Sequence, residues 1–218
     1  MRKPRVLLAD DHPIVAQGLR TLLEPEVELV GIVENGRALI DATEKLKPDV
    51  IVADISMPLL NGIEAVRQIK KTDTDVKVIF LTMHPDVTYA VSAFEAGAMG
   101  YVVKHSAPTE LTAAIRSVLK GKNYVTPLVG GEVMLNPTRG SRERREGSSH
   151  LTRRQREVLQ LLAEGYQAKE IASILDISTR TVEYHKYQMM KDIGMKTVAD
   201  LVRYAVKHNI VSEQEIPF

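Results

Sequence analysis

The sequence contains no cysteine among its 218 residues. The chain therefore cannot have a disulfide framework, a thiolate nucleophile or a zinc–thiolate site. This composition is compatible with a reducing cytosol but does not establish one, because many secreted chains also lack cysteine.

The N-terminal part of the chain lacks a long hydrophobic run. The basic residues of segment 1–5 are followed by a short apolar run, Val6–Ala9, and then by two aspartates. This run is too short for the core of a signal peptide or for a membrane span. We therefore expect the protein to remain where it is made, with no membrane partner.

Neither sign of charge predominates. The 29 Lys and Arg residues and the 28 Asp and Glu residues give a net charge of +1, and no part of the chain is a strongly basic arm. Charge alone therefore does not indicate a nucleic-acid partner. The content of 44% hydrophobic and 26% charged residues is ordinary for a globular protein, and the length suits two domains.

Residues 1–122 alternate between short apolar runs, typical of strands, and segments of helical period. Such alternation implies right-handed crossovers and a parallel sheet with helices on both faces. The predicted fold class is α/β, with a doubly wound five-stranded parallel sheet. Strands are predicted at Arg5–Ala9, Glu28–Val33, Val50–Ala53, Val78–Leu81 and Tyr101–Val103, and helices at about 13–23, 37–46, 62–71, 87–96 and 108–120.

The rest of this domain is organised around the segment 48–62. Its apolar strand ends at Asp54, and Pro58 and Gly62 indicate a tight loop before the next helix. Open α/β sheets bind ligands at the carboxyl ends of their strands, which is where Asp54 lies. Asp54 could instead cap the next helix, but Asn61 is better placed to do so. Asp54 is therefore a candidate functional carboxylate.

Other polar residues also follow predicted strands. Asp10 and Asp11 follow the first strand, Thr82 follows the fourth and Lys104 follows the fifth. All of them should meet Asp54 at one edge of the sheet. Clustered carboxylates raise one another's pKa unless a cation neutralises them, and Mg²⁺ is the natural cation for oxygen ligands. A metal, an ammonium group and a hydroxyl beside a nucleophilic carboxylate form a receptor for a phosphoryl group.

This pattern resembles the receiver domain of two-component response regulators over residues 5–120. The resemblance implies a fold like that of flavodoxin and CheY. It also implies that a sensor histidine kinase supplies a phosphoryl group to Asp54 and that the protein is cytoplasmic and bacterial. The matching residues are Asp10-Asp11, the run Asp54-Ile55-Ser56-Met57-Pro58 with Gly62, Thr82, and the run Tyr101-Val102-Val103-Lys104.

The resemblance gives a role to each polar residue at this edge. By the resemblance, Mg²⁺ is held by Asp10, Asp11, Asp54 and the backbone carbonyl of Ser56. Lys104 contacts the phosphoryl group. Thr82 and Tyr101 form the switch pair that reports the phosphoryl group to the rest of the domain.

Two further positions vary among receivers and tune the lifetime of the phosphoryl group. They are Ser56, two residues after Asp54, and His84, two residues after Thr82. A small Ser56 leaves space for an attacking water. His84 either orders that water or stacks over the site, or it is an ordinary surface residue at the start of a loop. We expect His12 to begin the first helix rather than to bind metal.

Helical and strand periodicity fades after Gly121. Residues 123–150 are rich in glycine, proline and serine and include the mixed charge run 139–146. This composition suits a flexible, solvated linker, with one short helix at about 128–135. The charge run is either simply solvated or a basic arm that touches DNA.

Residues 151–218 predict an all-α domain of four helices. Glycines at 165 and 194 end the first and the third, and Ser178 or Thr179 caps the third. The second and third helices, joined by a tight turn, form a helix-turn-helix. The helices are predicted at Arg153–Glu164, Ala168–Leu175, about 178–193 and Thr197–Asn209.

The third helix of this domain carries polar and aromatic residues on one side. Such side chains can reach bases and phosphates when the helix lies in a major groove. The candidate DNA-binding residues are Arg180, Thr181, Glu183, Tyr184, His185, Lys186, Tyr187 and Lys191.

A series of short runs in this domain follows a recognisable pattern: Leu151-Thr152, Arg156-Glu157-Val158-Leu159, Ala163-Glu164-Gly165, Glu170-Ile171-Ala172, and Ser178 with Thr181-Val182 and His185. On these residues the domain resembles the LuxR/NarL-type DNA-binding domain over about residues 151–211. Two positions depart from the family pattern: Glu183 stands where a basic residue is common, and Tyr187 where a lysine or another polar residue is common. Glu183 either accepts a hydrogen bond from cytosine or weakens nonspecific attraction to phosphates.

Together the domains, 1–122 and 151–218, predict a phosphorylation-controlled transcription factor of the NarL type rather than an enzyme. Phosphorylation of Asp54 is expected to promote a homodimer on double-stranded promoter DNA, with RNA polymerase a candidate partner. One alternative is a receiver locked without phosphate, and another is a Mg²⁺-dependent phosphohydrolase. The complete set of receiver residues disfavours the first. Ser56, at a position where such hydrolases commonly have aspartate, disfavours the second.

Overall fold

Strands and helices alternate through residues 5–125, as the apolar periodicity predicts for this part of the chain. The computed structural model describes residues 2–83, 85–130, 151–212 and 216. Every strand and helix predicted for residues 1–122 is present, with its bounds within one residue of the prediction. The elements are β1 (Arg5–Ala9), α1 (Pro13–Leu23), β2 (Glu28–Val33), α2 (Gly36–Leu46), β3 (Val50–Ala53), α3 (Gly62–Thr72), β4 (Lys77–Thr82), α4 (Val87–Glu95), β5 (Gly100–Val103) and α5 (Ala107–Leu119).

These strands form one parallel sheet in the order β2-β1-β3-β4-β5. Alternate side chains of each strand enter two separate apolar cores. Leu8 and Val52 pack in one core with helices α1 and α5, whereas Leu7 and Ile51 pack in the other with α2, α3 and α4. The prediction of a doubly wound parallel sheet is confirmed, and all strand ends that carry the predicted site residues lie at one edge.

The sheet has a sixth strand, so the prediction of five strands is wrong. Strand β6 (Tyr124–Val125) pairs in parallel with β5, and residues 127–130 then form a helical turn. The segment predicted as a linker from residue 123 therefore begins as part of the sheet. Its remainder, 131–150, which includes the charge run, lies outside the described residues. A two-residue strand is too short to show alternation, so periodicity could not reveal it.

The loop between β3 and α3 is fixed by close backbone packing. A Cβ atom on Gly62 would lie 2.0 Å from the carbonyl oxygen of Asp54, and one on Gly36 would lie 2.2 Å from that of Leu60. Glycine is therefore required at both positions. The backbone also has a positive φ of 67° at Leu59, which is a strained conformation for a residue other than glycine.

The chain divides into two compact units within the segment 131–150, and the second unit has the four predicted helices. Gly165 and Gly194 adopt positive φ of 89° and 68° after the first and third of them. Ser178, rather than Thr179, caps the third helix, its Oγ accepting a hydrogen bond from Thr181 N–H at 3.1 Å. The helices are α6 (Arg153–Ala163), α7 (Ala168–Leu175), α8 (Thr179–Asp192) and α9 (Val198–Lys207).

The helical unit encloses one small apolar core. Val158, Leu159, Ile171 and Leu201 are completely buried. Val198, the first residue of α9, is 44% exposed. Among the described residues, no helix combines the length and the apolar character that crossing a membrane requires.

Replacement of Gly62 should destabilise the α/β unit. In Gly62→Ala the added methyl group would overlap the Asp54 carbonyl oxygen, and such overpacking costs about 1–3 kcal/mol. Gly18→Ala is the matched control, because nothing lies within 4 Å of its added methyl group on helix α1. That change should stabilise the protein by roughly 0.5–1 kcal/mol. Urea unfolding followed by circular dichroism measures both, and an unchanged Gly62→Ala midpoint would contradict the close packing.

Candidate functional site

Charged side chains from three strand ends meet at the carboxyl edge of the sheet. The Nζ atom of Lys104 lies 2.6 Å from Asp54 Oδ2 and 2.8 Å from Asp10 Oδ2. The side chains are 8%, 5% and 1% exposed, respectively. Asp54 does not cap α3, because Asn61 accepts the capping hydrogen bond from Glu64 N–H at 2.9 Å, as predicted. Lys104 therefore bridges two buried carboxylates that come from different strands.

Burial controls the ionisation of this cluster. Loss of hydration raises the pKa of Asp54 from 3.8 to about 6, and the positive charge of Lys104 only partly opposes this effect. Burial lowers the pKa of Lys104, but attraction to Asp54 and Asp10 outweighs it, so the net change is upward. Lys104 therefore stays charged, whereas Asp54 changes its ionisation state near neutral pH. A carboxylate in this condition gains from an added cation.

Asp11 and His12 extend the acidic cluster. His12 stands at the N-cap of α1, as predicted, and its backbone N–H donates to Asp10 Oδ1 at 2.9 Å. Its ring Nδ1 also lies 2.9 Å from Asp11 Oδ1, a contact that sequence reasoning did not anticipate. One ligand atom from each of Asp10, Asp11, His12 and Asp54 lies within 4.8 Å of the others. Three carboxylates supply hard oxygen donors, so the residues present fit a small divalent cation such as Mg²⁺.

Ser56 contacts this cluster, and Thr82 and Tyr101 lie on the strands beside it. Ser56 N–H donates to Asp54 Oδ1 at 3.3 Å. Thr82 and Tyr101 are fully buried on the adjacent strands β4 and β5. Burial is the main reason that the pKa of Tyr101 is raised, and its hydroxyl therefore stays protonated. His84 lies outside the described residues, so its predicted role is not placed in the structure.

Sequence reasoning missed Glu110 and Thr126. Thr126 Oγ1 accepts a hydrogen bond from Val103 N–H at 3.1 Å and donates one to Glu110 Oε2 at 2.7 Å. Val103 directly precedes Lys104 in the chain. A single threonine beyond the last predicted helix belongs to no periodic pattern, so no sequence signal could identify it.

Helix α8 exposes most of the residues predicted to bind DNA. Val182 and Met189 are completely buried and hold the helix against the core. Tyr184 and Tyr187 are 59% and 65% exposed, which is unusual for large aromatic side chains. The remaining predicted residues are Arg180, Glu183 and Lys191, which are exposed, and Thr181, His185 and Lys186, which are half-buried.

Two of these polar residues form an ion pair. Lys186 Nζ lies 2.6 Å from Glu183 Oε2, one turn along the helix. Thr181 is also engaged, because its Oγ1 lies 2.8 Å from the Oγ of the capping residue Ser178. The basic charge that α8 offers is therefore smaller than its composition indicates.

A buried network joins α6 to the helix-turn-helix. Glu157, with a side chain 2% exposed, accepts hydrogen bonds from Arg153 Nε at 2.9 Å and Arg154 Nη1 at 2.7 Å. Burial raises the pKa of Glu157, but the two arginines outweigh it and lower the pKa overall. Arg154 also donates to the carbonyl of Leu175 at 2.7 Å. Burial, and then the charge of Arg154, lowers the pKa of His185, so its imidazole is neutral at neutral pH.

Comparison with known families identifies both units. Residues 6–116 match the response regulator receiver domain, and residues 149–205 match the family of bacterial regulatory proteins named after luxR. The chain belongs to the two-component response regulators that combine a receiver domain with a LuxR-type DNA-binding domain. The fold thus defines a transcriptional regulator with a phosphoacceptor-type domain.

Relatives of known identity match this chain over nearly its whole length. The transcriptional regulatory protein MctR of Rhizobium johnstonii is 36% identical over 213 residues, which are 97% of each chain. The oxygen regulatory protein NreC of Staphylococcus aureus is 33% identical over 214 residues, 95% of this chain and 99% of NreC. The two-domain arrangement is therefore shared with regulators of the same length.

Solved structures of RcsB are similar to this chain. RcsB from Salmonella enterica serovar Typhimurium, bound to promoter rprA in the presence of the phosphomimetic BeF3⁻, is 31% identical with a TM-score of 0.59. The match covers 93% of this chain and 98% of RcsB. Another structure contains two RcsB dimers bound to two parallel DNAs; it is 32% identical, covers 95% of this chain and 99% of RcsB, and has a TM-score of 0.56.

Asp54→Asn should stabilise the protein when divalent cations are chelated, and the gain should grow with pH between 3.8 and about 6. In this window the unfolded chain has already lost the Asp54 proton while the folded chain retains it, so rising pH destabilises the wild-type fold. Asparagine has no such proton, and the gain should reach about 3 kcal/mol at neutral pH. Urea unfolding in EDTA at several pH values measures the difference. Parallel pH profiles for the two proteins would contradict the raised pKa.

Glu183→Gln should strengthen binding to DNA of arbitrary sequence. The change removes a negative charge from α8 and releases Lys186 from its ion pair, so one more phosphate contact becomes available. The slope of log affinity against log salt concentration should steepen by about one unit. Asp192→Asn is the control, since it removes the same charge at the far end of α8. Fluorescence anisotropy over a salt series measures both, and an equal response of the two variants would argue against a specific effect of the ion pair.

Proposed function

We propose that Asp54 accepts a phosphoryl group from a sensor histidine kinase and that this transfer controls DNA binding by the C-terminal domain. The observation that carries the proposal is the ion-paired cluster of Asp10, Asp54 and Lys104 at the carboxyl edge of the sheet. Both carboxylate oxygens of Asp10 face a close donor: Oδ1 lies 2.9 Å from the backbone nitrogen of His12, and Oδ2 lies 2.8 Å from Lys104 Nζ. Asp54 Oδ1 has the longer contact of 3.3 Å with Ser56 N–H, which favours Asp54 as the nucleophile.

In the transfer an oxygen of Asp54 forms a bond to phosphorus while the bond from phosphorus to the kinase histidine nitrogen breaks. The histidine keeps that electron pair and later takes up a proton from solvent. The ammonium group of Lys104, already 2.6 Å from Asp54, neutralises negative charge on the phosphoryl oxygens. With its pKa at about 6, Asp54 is mostly ionised at slightly alkaline pH, as a nucleophile must be.

Asp10, Asp11, Asp54 and the backbone carbonyl of Ser56 are the groups proposed to hold Mg²⁺. When bound, the ion neutralises the excess negative charge of the carboxylates and of the phosphoryl oxygens. The half-buried Ser56, together with His84, is proposed to tune how long the acyl phosphate survives hydrolysis. The three carboxylates of Asp10, Asp11 and Asp54 support the assignment of this site to Mg²⁺.

Thr82 and Tyr101 are proposed to report the phosphoryl group to the rest of the domain. Both are buried on strands that end at the cluster, so a new anion there changes their surroundings directly. A switch of this type needs a bias of only a few kcal/mol between two states.

We further propose that phosphorylation promotes a homodimer whose two α8 helices enter the major grooves of paired half-sites in promoter DNA. The exposed polar and aromatic face of α8 supports this role, as does the promoter complex of the similar protein RcsB. The nearly neutral charge of the chain indicates that one copy alone binds weakly, so pairing supplies the missing affinity. The protein acts in the bacterial cytoplasm as a regulator rather than on an external substrate, and RNA polymerase is a candidate contact at the promoter.

The proposal is tested by incubating the protein with Mg²⁺ and acetyl phosphate. Intact mass should show one added phosphoryl group on the wild type, and sedimentation should show a shift from monomer to dimer. Asp54→Ala should show neither change, while the control Asp41→Ala, an exposed residue of α2, should behave like the wild type. Phosphate-stimulated dimerisation in Asp54→Ala would overturn the assignment of the nucleophile.

A further inference from the structure

The sixth strand attaches the start of the interdomain segment to strand β5. We call residues 124–130 the exit segment, because the chain continues from them toward the DNA-binding domain. Thr126 N–H donates to the carbonyl of Tyr101 at 2.9 Å, and Tyr124 N–H donates to that of Met99 at 2.9 Å. Val129 is completely buried in the same apolar core as Tyr101. The exit segment is therefore bonded to the strand that carries Tyr101 and leads directly into Lys104.

The hydroxyl of Thr126 adds a buried bridge between β5 and α5. It accepts a hydrogen bond from Val103 N–H at 3.1 Å and donates one to Glu110 Oε2 at 2.7 Å. The Tyr124 hydroxyl donates to the same carboxylate oxygen at 3.2 Å. Thr126 is 1% exposed, so water cannot replace its hydroxyl without a rearrangement.

This bridge lies one residue away from the phosphoryl site. Val103 is joined by a single peptide bond to Lys104, whose ammonium group contacts Asp54 and Asp10. A displacement of the Lys104 backbone would pass through this peptide bond to Val103 and so to the hydrogen bond between Val103 N–H and Thr126. Movement of Tyr101 acts on the exit segment as well, through its carbonyl and the Thr126 N–H.

We propose that Glu110 and Thr126 are positioning residues that couple the phosphoryl site to the exit segment. Phosphorylation of Asp54 thereby changes how stably the exit segment is bonded to the sheet. The chain that continues to the DNA-binding domain is then attached more or less firmly to the receiver domain. Neither Glu110 nor Thr126 contacts the phosphoryl group. Both act through Val103, the last residue of strand β5. This inference rests on the proposed phosphorylation of Asp54.

The test uses the full chain with Mg²⁺ and acetyl phosphate. The DNA probe is a duplex selected from a random pool by the phosphorylated wild type. Thr126→Val removes the hydroxyl but keeps the shape of the side chain, Thr126→Ser restores the hydroxyl, and Thr21→Val is a control at an exposed position on α1. Intact mass reports phosphorylation, and fluorescence anisotropy reports the gain in DNA affinity on phosphorylation.

Thr126→Val should take up phosphate as the wild type does but lose at least about fivefold of the phosphorylation-dependent gain in DNA affinity. Thr126→Ser should recover that gain, and Thr21→Val should retain it. A full gain in Thr126→Val, with normal phosphate uptake, would overturn the coupling and leave the proposed function intact. Absence of phosphate on the wild type would instead overturn the proposed function.

Hydrogen exchange of the wild type provides a readout that does not depend on any Thr126 variant folding. The Thr126 and Val103 amides should exchange at a different rate after phosphorylation, by at least about fivefold, because their partners move. Asp54→Ala treated in the same way should show no change. Identical exchange before and after phosphorylation of the wild type would also overturn the coupling.

Discussion

Two carboxylates share a single ammonium group at a place that water scarcely reaches. Asp10 and Asp54 carry one charge too many for Lys104 to neutralise, and burial makes that excess costly. Burial is the main reason that the pKa of Asp54 is raised; Lys104 opposes the increase, and the charge of Asp10 adds to it. The parallel strands that end at one edge and the loop held by Gly62 keep these charges together despite the cost. The receiver fold thus maintains a buried excess of negative charge on residues that could hold a cation.

The C-terminal domain handles charge in a different way. Its buried carboxylate, Glu157, is fully matched by Arg153 and Arg154, and its pKa is lowered rather than raised. On the surface of α8, Glu183 and Lys186 neutralise one another. These charges are therefore neutralised within the domain, so its attraction to a polyanion such as DNA is modest. This modest attraction is consistent with the proposed dimerisation, in which two copies together supply the affinity that one copy lacks.

The sequence predicted the fold of both domains well where structure repeats with a regular period. The ends of α3, α6 and α8 were also predictable, because Asn61, Gly165, Gly194 and Ser178 are residues with specific capping chemistry. Geometry that depends on distant parts of the chain was not predictable. The bridge that Thr126 forms with Val103 and Glu110 arises from tertiary packing and leaves no local pattern.

Strand β6 also has a consequence for the solution behaviour of the domain. Without β6 and the Thr126 that follows it, the outer edge of β5 would present the Tyr101 carbonyl and the Val103 N–H without their partner. An uncovered edge of a parallel sheet is a template for pairing with another chain. A receiver fragment cut at residue 122 would therefore tend to self-associate through its edges, whereas one ending at residue 130 would keep its edge covered. The shorter fragment would therefore add an edge for association that does not depend on the phosphoryl group.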